Sequence, residues 1–348
     1  MITKSPEMLR TLGSSIMQAA GATQPVAECV TDHLVSANLV GIDSHGFMRL
    51  PDYAGWLVDG KAAADDRMEM VNDGGATCLI DANYTYGAVA ATKACAMAIE
   101  KSRELGAGLI SVRNATHIGR LGHYAEDLAD AGHIGFICCH ARGAGQFVAP
   151  WGGREPRLTT NPLAWGFPSG RDAGALVMDM STSAAPEGKI RLAQRRGEAI
   201  PPGIVIDADG QTTTDPAALH GSPPGAILPF GEHKGYVLAL AVEALAGALS
   251  GGGVSRPVDE VYTHGCNFFL MAARVDAFLP RAQFEQELDA MLDYVKTSAP
   301  INPDEPVRVP YELESRLRCR RSSDGITIDD ASWQRVVDLA GDLDLEIE

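Results

Sequence analysis

Residues 77–112 read TCLIDANYTYGAVAATKACAMAIEKSRELGAGLISV, and this stretch decides the fold class. Thr77–Asp81 is strand-like, the alanine-rich segment Ala88–Leu105 predicts a helix, and Gly108–Val112 predicts a second strand. Strands and helices in alternation, with apolar strands, are typical of α/β proteins in which helices cover a sheet that is at least partly parallel. The sequence therefore predicts an α/β fold.

The alternation continues towards the C-terminus. Tyr124–Ala131 predicts a helix, and Ile134–Cys138 and Asn267–Leu270 predict further strands. Tyr236–Ala248 is strongly apolar, so we expect a helix that is buried. The connection from Pro201 to Gly225 is rich in Gly, Pro, Asp and Thr, which predicts irregular structure around one short strand.

Both ends of the chain predict helices. Apolar residues recur at helical spacing in residues 6–20 and again in residues 24–40, and each run ends at a glycine. Residues 328–343 look helical as well. The predicted division is an α-rich domain from residues 1–75 plus 310–348 and an α/β domain from residues 76–309.

The composition limits the possible partners. The chain has 348 residues, 45% hydrophobic and 21% charged, which is ordinary for a soluble protein of one large or two ordinary domains. A formal net charge of −16 argues against binding to nucleic acid or to an anionic membrane. Seven cysteines without paired spacing, and a first segment without an apolar core, favour a reduced cytoplasmic protein. No metal site is expected, because the histidines do not pair with other ligands at ligand spacing.

The loop after the second predicted helix groups side chains that suit an organic acid. It reads GIDSHG at residues 41–46 and is followed by Arg49 and Tyr53. A histidine exchanges a proton near neutral pH, a hydroxyl orients that proton, and a guanidinium binds a carboxylate through two hydrogen bonds. An ion pair with Asp43 or Asp52 is the alternative interpretation of Arg49. Pro51 leaves open whether Arg49 lies in a helix or in its entry loop.

Two later segments suit the phosphate and ribose groups of a nucleotide. GEHKG at residues 231–235 lies directly before the apolar helix, where free N–H groups and the helix dipole favour a phosphate. DMSTS at residues 179–183 follows an apolar run and presents hydroxyls. A capped helix and a strand-end turn are the alternative interpretations. The Gly-x-Gly-x-x-Gly fingerprint is absent, so the residues alone do not name the nucleotide.

Five segments together resemble the malate/L-lactate dehydrogenase family, whose nucleotide-binding domain is not a Rossmann fold. The family also covers ureidoglycolate dehydrogenase, sulfolactate dehydrogenase, diketogulonate reductase and ketimine reductases. The segments follow the family's order along nearly the whole chain: GIDSHG at 41–46, NATHIG at 114–119, TNPLA at 160–164, DMSTS at 179–183 with GK at 188–189, and GEHKGY at 231–236. The resemblance implies a non-Rossmann mixed-sheet domain that binds NAD or NADP, an α-rich domain from the two terminal segments, and a homodimer.

The resemblance also implies a role for each candidate residue. His45 is the first choice for the acid and base, with Ser44 as its relay, and His117 is the alternative because family members differ in this assignment. Substrate contacts are expected from Arg49, Tyr53, Thr160 and Lys189. Cofactor contacts are expected from His117, Ile118, Gly119, Asp179, Met180, Ser181, Thr182, His233, Lys234 and Glu312.

The expected activity is hydride transfer between NAD or NADP and a small 2-hydroxy acid such as malate or lactate. The alternative is reduction of a cyclic ketimine carboxylate, although ketimine reductases of the family tend to carry an aspartate where this chain has Lys189. A second departure is Tyr311, which replaces a glycine of the family and puts the contact of Glu312 in question. A third hypothesis is a nucleotide-binding regulator without activity, which the intact Ser44, His45 and Arg49 disfavour. The residues do not determine the substrate side chain or the choice between NAD and NADP.

Overall fold

The computed structural model describes residues 1–143, 145–172, 174–257 and 265–347. Its helices are α1 Pro6–Ala19, α2 Gln24–Leu39, α3 Leu50–Val58, α4 Gly87–Leu105, α5 Leu121–Asp130, α6 Glu187–Arg196, α7 His233–Val242, α8 Arg281–Lys296, α9 Glu312–Asp324 and α10 Asp330–Asp342. Its strands are β1 Ile2–Lys4, β2 Glu69–Asp73, β3 Thr77–Asp81, β4 Ala107–Ala115, β5 His133–Ala141, β6 Leu163–Phe167, β7 Leu176–Met180, β8 Val205–Ile206, β9 Thr212–Thr213, β10 Ala226–Ile227, β11 Cys266–Arg274 and β12 Ile326–Ile328. Short 3₁₀ turns cover Asp43–His45, Phe47–Arg49, Pro216–His220 and Val275–Ala277, and a π-helical segment, Glu243–Ala248, continues α7.

The central sheet has seven strands in the order β2-β3-β4-β11-β5-β6-β7. Only β3 and β4 run parallel, and each of the other neighbouring pairs is antiparallel. The predicted α/β class with a mixed sheet is therefore confirmed. The parallel pair is the unit that residues 77–112 predict, because a helical crossover joins two parallel strands.

Helices cover both faces of this sheet. On β11, Phe268 and Leu270 belong to the core shared with α4 and α5, whereas Phe269 packs with Val242 and Ala246. Alternate residues of a strand point to opposite faces, so α7 with its π-helical segment lies on the face opposite α4 and α5.

The expected complete burial of the apolar helix is wrong for the single chain. Val237, Leu240 and Leu249 are 58%, 44% and 57% exposed. Only the opposite side of this helix, which includes Ala239 and Val242, is buried. A helix that packs on a sheet through one side leaves its other side uncovered, whatever its composition.

The two ends of the chain meet. β1 and β12 form an antiparallel pair in which Ile2 is opposite Ile328. Residues from α1, α2, α3 and α10 surround this pair in a separate apolar core. Among the described residues, no helix combines the length and apolar character that crossing a membrane requires.

Candidate active site

Two histidines lie side by side between the terminal helices and the central sheet. His45 ends the 3₁₀ turn Asp43–His45, and His117 follows β4. Their ring centroids are 5.6 Å apart with an angle of 25° between the planes. The structure thus brings together the two residues proposed as alternative proton carriers.

Each of these imidazoles contacts a hydroxyl group. Ser44 Oγ lies 3.0 Å from His45 Nδ1, and the Tyr53 hydroxyl lies 2.6 Å from His117 Nδ1. The backbone N–H of Gly119 also donates to His117 Nδ1, at 3.3 Å. Because an N–H group can only donate, this nitrogen accepts, the Tyr53 hydroxyl donates to it, and a neutral His117 carries its proton on Nε2.

Asn38 of α2 holds the loop that carries His45 through two hydrogen bonds. Asn38 Oδ1 accepts from the Phe47 N–H at 2.7 Å, and its Nδ2 donates to Asp43 at 2.6 Å. A Cβ atom on Gly46 would lie 2.3 Å from Asn38 Oδ1, so the glycine permits this close approach. Asp43 also accepts from Arg321 of α9 at 2.7 Å, which identifies it as a structural carboxylate.

Arg49 lies in the entry turn and not in a helix. It ends the 3₁₀ turn Phe47–Arg49, and α3 begins at the next residue with Pro51 in its first turn. Its Nη1 lies 3.4 Å from Asp52, whereas Asp52 accepts from Arg335 at 2.7 Å. The ion pair with Asp52 is therefore long, and most of the guanidinium fork remains able to take a carboxylate.

His45 is uncharged at neutral pH. Burial, followed by the positive charges of Arg49 and Arg120, lowers the pKa of His45 to about 4. An imidazole in this state is ready to accept a proton. Sequence analysis did not identify Arg120, although an arginine next to NATHIG was a visible signal.

The start of α6 lies beside the same loop. A Cβ atom on Gly188 would be 3.9 Å from Ser44 Cβ, so Gly188 borders Ser44. Lys189 is exposed. Thr160 is tied to the DMSTS segment, because its carbonyl accepts from both the N–H and the hydroxyl of Thr182 at 2.9 and 3.0 Å.

The predicted cofactor segments also meet at one place. Asp179, on β7, accepts from the Gly122 N–H at the start of α5 at 2.8 Å. At the start of α7, a Cβ atom on Gly235 would lie 2.6 Å from the Thr182 carbonyl oxygen. The starts of α5 and α7 therefore both face the end of β7.

The starts of α5, α7 and α9 suit the phosphates of a nicotinamide dinucleotide. The residues that precede these helices (Arg120, Glu232 and Tyr311) provide no side-chain cap, although Gly122 donates to Asp179 and Gly235 donates to the Phe230 carbonyl. Such helix starts favour a diphosphate through N–H groups and the helix dipole. Glycines at 122 and 235 permit these helix starts to pack closely against Asp179 and the Thr182 carbonyl oxygen.

The residues predicted to contact the cofactor differ in how far their side chains are exposed. His233 and Lys234 are exposed in the first turn of α7, and Met180 is exposed at the end of β7. Ile118 is buried, and its carbonyl accepts from the Tyr124 hydroxyl at 2.7 Å. Ser181 Oγ donates to the Ser183 carbonyl at 3.1 Å.

Tyr311 keeps the backbone conformation that a glycine would favour. Its φ is +74°, in the left-handed region, directly before α9. The side chain turns away to donate to Glu126 of α5 at 2.7 Å, and Glu312 forms an ion pair with Lys296. The substitution of glycine by tyrosine therefore leaves Glu312 at the start of α9.

A buried polar network beneath Thr160 is a second feature that sequence analysis missed. Asn161 donates to Glu243 at 2.9 Å, and Glu243 also accepts from the N–H and hydroxyl of Ser255 at 2.8 and 2.6 Å. Glu243 begins the π-helical segment, and such segments occur frequently at functional sites. A lone carboxylate in an apolar helix was the available signal.

Comparison with known proteins places this geometry in a family. The family model described as malate/L-lactate dehydrogenase matches residues 5–337. The chain is 35% identical over 338 residues to hydroxycarboxylate dehydrogenase B of Escherichia coli (strain K12), which covers 96% of this chain and 92% of that one. It is 36% identical over 352 residues to L-sulfolactate dehydrogenase of Methanothermobacter thermautotrophicus, with 99% and 98% covered.

Solved structures agree with these relatives. Malate dehydrogenase from Entamoeba histolytica superposes with a TM-score of 0.94 at 25% identity and covers 99% of both chains. A Δ1-piperideine-2-carboxylate reductase from Pseudomonas syringae pvar. tomato gives a TM-score of 0.86 at 27% identity, with 98% of this chain and 100% of that one covered. From the matched residues and the shared fold we conclude that this chain belongs to the malate/L-lactate dehydrogenase family.

Proposed function

We propose that the protein is an NAD(P)-dependent oxidoreductase that interconverts a small 2-hydroxy acid and its 2-oxo acid by hydride transfer. The observation that carries this proposal is the stacked pair of His45 and His117, each against a hydroxyl group, with Arg49 in the following turn. Family membership supports the same reaction class, because the relatives described above are dehydrogenases of hydroxy acids.

Each residue of the loop has a defined task in this proposal. Arg49 binds the substrate carboxylate through its guanidinium fork and holds the 2-carbon in place. His45, uncharged in the free protein, takes the hydroxyl proton during oxidation and returns it to the carbonyl oxygen during reduction. Ser44 orients the imidazole through His45 Nδ1. His117, fixed by Tyr53, is the alternative proton carrier.

The cofactor would be held by the starts of α5, α7 and α9, together with the DMSTS segment at the end of β7. A bound nicotinamide supplies the hydride acceptor for oxidation and the hydride donor for reduction. We propose either NAD or NADP in this role. Lys234, exposed in the first turn of α7, is the cation that we assign to the dinucleotide phosphates, with the exposed His233 beside it.

Reduction of a cyclic ketimine carboxylate is the second candidate function. The structural similarity to a Δ1-piperideine-2-carboxylate reductase favours it. The position of Gly188-Lys189 beside Ser44 disfavours it, because a lysine at the site repels a protonated imine. Between the two candidates we therefore favour the hydroxy acid.

We further propose a cytoplasmic homodimer. The apolar side chains that α7 and its π-helical segment leave exposed, Val237, Leu240 and Leu249, would be covered by a second subunit. All seven cysteines lack a disulfide partner, which is typical of a reducing compartment.

A substrate panel tests the proposed function. The purified protein is mixed with 2-oxo acids (pyruvate, oxaloacetate and 3-sulfopyruvate) or with cyclic imines (piperideine- and pyrroline-2-carboxylate), and the absorbance of NADH or NADPH is followed. We expect oxidation of one reduced cofactor with at least one 2-oxo acid. Turnover with cyclic imines alone would select the second candidate, and turnover with neither class would refute both.

A further inference from the structure

β4 contains a β-bulge just before the segment that carries His117. Its register against β11 shifts there by one residue, so that two residues of β4, Arg113 and Asn114, oppose the single residue Asn267. Asn114 has a φ of +55°, in the left-handed region. A bulge bends its strand, and bulges beside active sites re-aim a side chain. The bulge therefore sets the direction in which the chain leaves β4 towards His117.

Side chains of the two neighbouring strands hold Asn114 in this conformation. On one side, its Nδ2 donates to both carboxylate oxygens of Asp81, at the end of β3, at 3.0 and 3.1 Å. On the other side, its backbone N–H donates to Asn267 Oδ1 at 3.0 Å. A bulged residue is left out of the strand ladder, and its N–H group still requires an acceptor. The amide of Asn267 supplies that acceptor.

The segment between Asn114 and His117 is anchored by its backbone. The Asn114 carbonyl accepts from the Tyr84 N–H at 2.7 Å, and the Thr116 N–H donates to the Thr85 carbonyl at 3.1 Å. The segment is therefore a firmly held piece of chain, and a change in the conformation of Asn114 turns His117 with it.

The Asn267 amide is fixed in orientation, because its nitrogen has acceptors of its own. Nδ2 donates to the Gly253 carbonyl at 3.2 Å and lies 3.1 Å from His140 Nε2. Since an amide NH₂ group only donates, His140 Nε2 accepts, and a neutral His140 carries its proton on Nδ1. That nitrogen faces Glu243 Oε2 at 3.7 Å. The buried His140–Glu243 pair therefore determines which end of the amide is offered to Asn114.

The other end of this buried chain of polar side chains holds a second left-handed asparagine. Asn161 has a φ of +37° and donates from Nδ2 to Glu243 at 2.9 Å. It directly follows Thr160, a predicted substrate contact. Residues other than glycine in this conformation cost free energy, and they are concentrated at functional sites. Both ends of the chain therefore support segments that are predicted to line the active site.

We propose that Asn267 is a positioning residue that holds the bulge of β4 and thereby places His117, with His140 and Glu243 fixing its amide. The inference rests on the proposed function, in which His117 lies against His45 and is the alternative proton carrier. Asn267 itself acts only through Asn114. A displacement of about 1 Å in an active site costs about 10²-fold in rate, so a residue of this kind affects turnover without touching the substrate.

The test follows the two ring nitrogens of His117 by nuclear magnetic resonance, in nitrogen-labelled protein without cofactor and at a pH above the imidazole titration. While Nδ1 accepts from the Tyr53 hydroxyl and the Gly119 N–H, the proton stays on Nε2 and the two signals are widely separated. We expect Asn267→Ala to release the ring, so that the two tautomers average and the signals approach each other. The absence of these signals in His117→Gln identifies them. With a substrate from the panel, kcat/KM of Asn267→Ala should fall by about 10²-fold.

Ser102→Ala is the matched control for a general loss of stability. Ser102 is buried and lies 2.6 Å from His133 Nε2, at the opposite end of β5 from His140. This variant also loses a buried polar contact of a histidine, so it should lower the free energy of unfolding but leave the His117 signals separate. Signals that stay apart in Asn267→Ala, or that approach each other equally in Ser102→Ala, overturn the inference.

Asn267→Ser is the second variant if Asn267→Ala does not fold. Its hydroxyl keeps a polar atom in the buried position but is too short to replace the amide at both ends, so the same approach of the signals is expected and the same criterion applies. The spectra are recorded without substrate. Signals that approach each other therefore uphold the positioning of His117 even if the substrate panel shows no turnover, a result that would refute the proposed function alone.

Discussion

At the scale of single residues, His45 and His117 differ in how firmly they are held. His117 Nδ1 accepts hydrogen bonds from both the Tyr53 hydroxyl and the Gly119 N–H. His45 Nδ1 has the Ser44 hydroxyl as its partner. A proton carrier has to exchange its proton with substrate and solvent, and an exposed serine at the border of the site suits that exchange better than a buried tyrosine. This contrast supports His45 over His117.

We expect His45→Ala to lower kcat by a factor of about 10²–10⁴, because this is the usual contribution of general acid–base catalysis. The measurement is the steady-state rate with saturating substrate and cofactor, followed by NADH or NADPH absorbance. His117→Ala is the matched variant. An unaltered rate in His45→Ala, with a loss in His117→Ala, would assign the proton to His117.

Arg49→Ala should act mainly on substrate capture. A charge-assisted contact to a carboxylate contributes about 1.5–3 kcal/mol, so we expect KM to rise by roughly 10- to 150-fold with a smaller change in kcat. Asp52→Asn is the control, since it removes the carboxylate that Arg49 and Arg335 contact but leaves the guanidinium of Arg49 in place. An equal loss of kcat with unchanged KM would contradict the role of Arg49 as carboxylate anchor.

Sequence patterns named the candidate site residues but not their contacts. Ser44, His45 and Arg49 lie close together in the chain, so local composition suffices to group them. Arg120 and the Tyr311–Glu126 contact depend on α5 and α9 meeting, and these helices are far apart in sequence. A local sequence pattern does not predict a contact between helices that are distant in the chain. Sequence analysis therefore did not identify the buried Arg120.

At the scale of elements, the exposed side of α7 is the clearest consequence of the fold. Val237 and Leu240 are three residues apart and occupy the same helix face. We expect Leu240→Asp to place a charge in the proposed subunit interface and to convert the homodimer into a monomer of 36.8 kDa. Light scattering coupled to size-exclusion chromatography measures this mass.

Lys234→Gln, at the start of the same helix, is the control and should remain dimeric. A protein that is monomeric before any substitution would refute the proposed dimer. A dimer that tolerates Leu240→Asp would place the interface elsewhere.

Helices and strands were predicted well where apolar residues recur at a regular spacing over a long, uninterrupted segment. The helices α1, α2 and α4 and the strands β3 and β4 appear close to their expected positions. In contrast, α6 and α9 were not predicted: both consist mainly of polar and charged residues, with one buried residue each, so they have almost no apolar period. Contacts with the rest of the molecule define such helices.

At the scale of the whole molecule, buried neutral histidines make stability depend on pH. Burial lowers the pKa of His33 well below its usual value and that of His45 to about 4. An unfolded chain protonates these residues near pH 6.5, before the folded protein does. Their contribution is therefore complete above about pH 6.5 and is lost as the pH falls towards the folded pKa values.

We expect the free energy of unfolding to decrease between about pH 7.5 and about pH 5.5, by about 1 kcal/mol for each such histidine. Urea unfolding followed by circular dichroism measures it, and this pH range stays above the usual carboxylate titrations. His33→Gln should reduce the pH dependence even if it lowers overall stability. Equal stability at both pH values would contradict the neutral buried state of these imidazoles.

The architecture as a whole was predicted in class but not in topology. The α/β class follows from the alternation that begins at residue 77, and the mixed sheet follows from the resemblance to the family. The place of β11 between β4 and β5 does not, because strand order depends on long-range pairing. The division into residues 1–75 plus 310–348 and 76–309 stays a prediction, and its first boundary falls in the turn between β2 and β3.

The pairing of β1 with β12 has a consequence for biosynthesis. β1 cannot pair until the ribosome has translated its partner β12, which lies at the far end of the sequence. The central sheet also waits, because β11 fills the gap between β4 and β5. We therefore expect nascent chains to expose unpaired strand edges until β11 and β12 have been translated, and to need chaperones more than a protein whose neighbouring strands are consecutive.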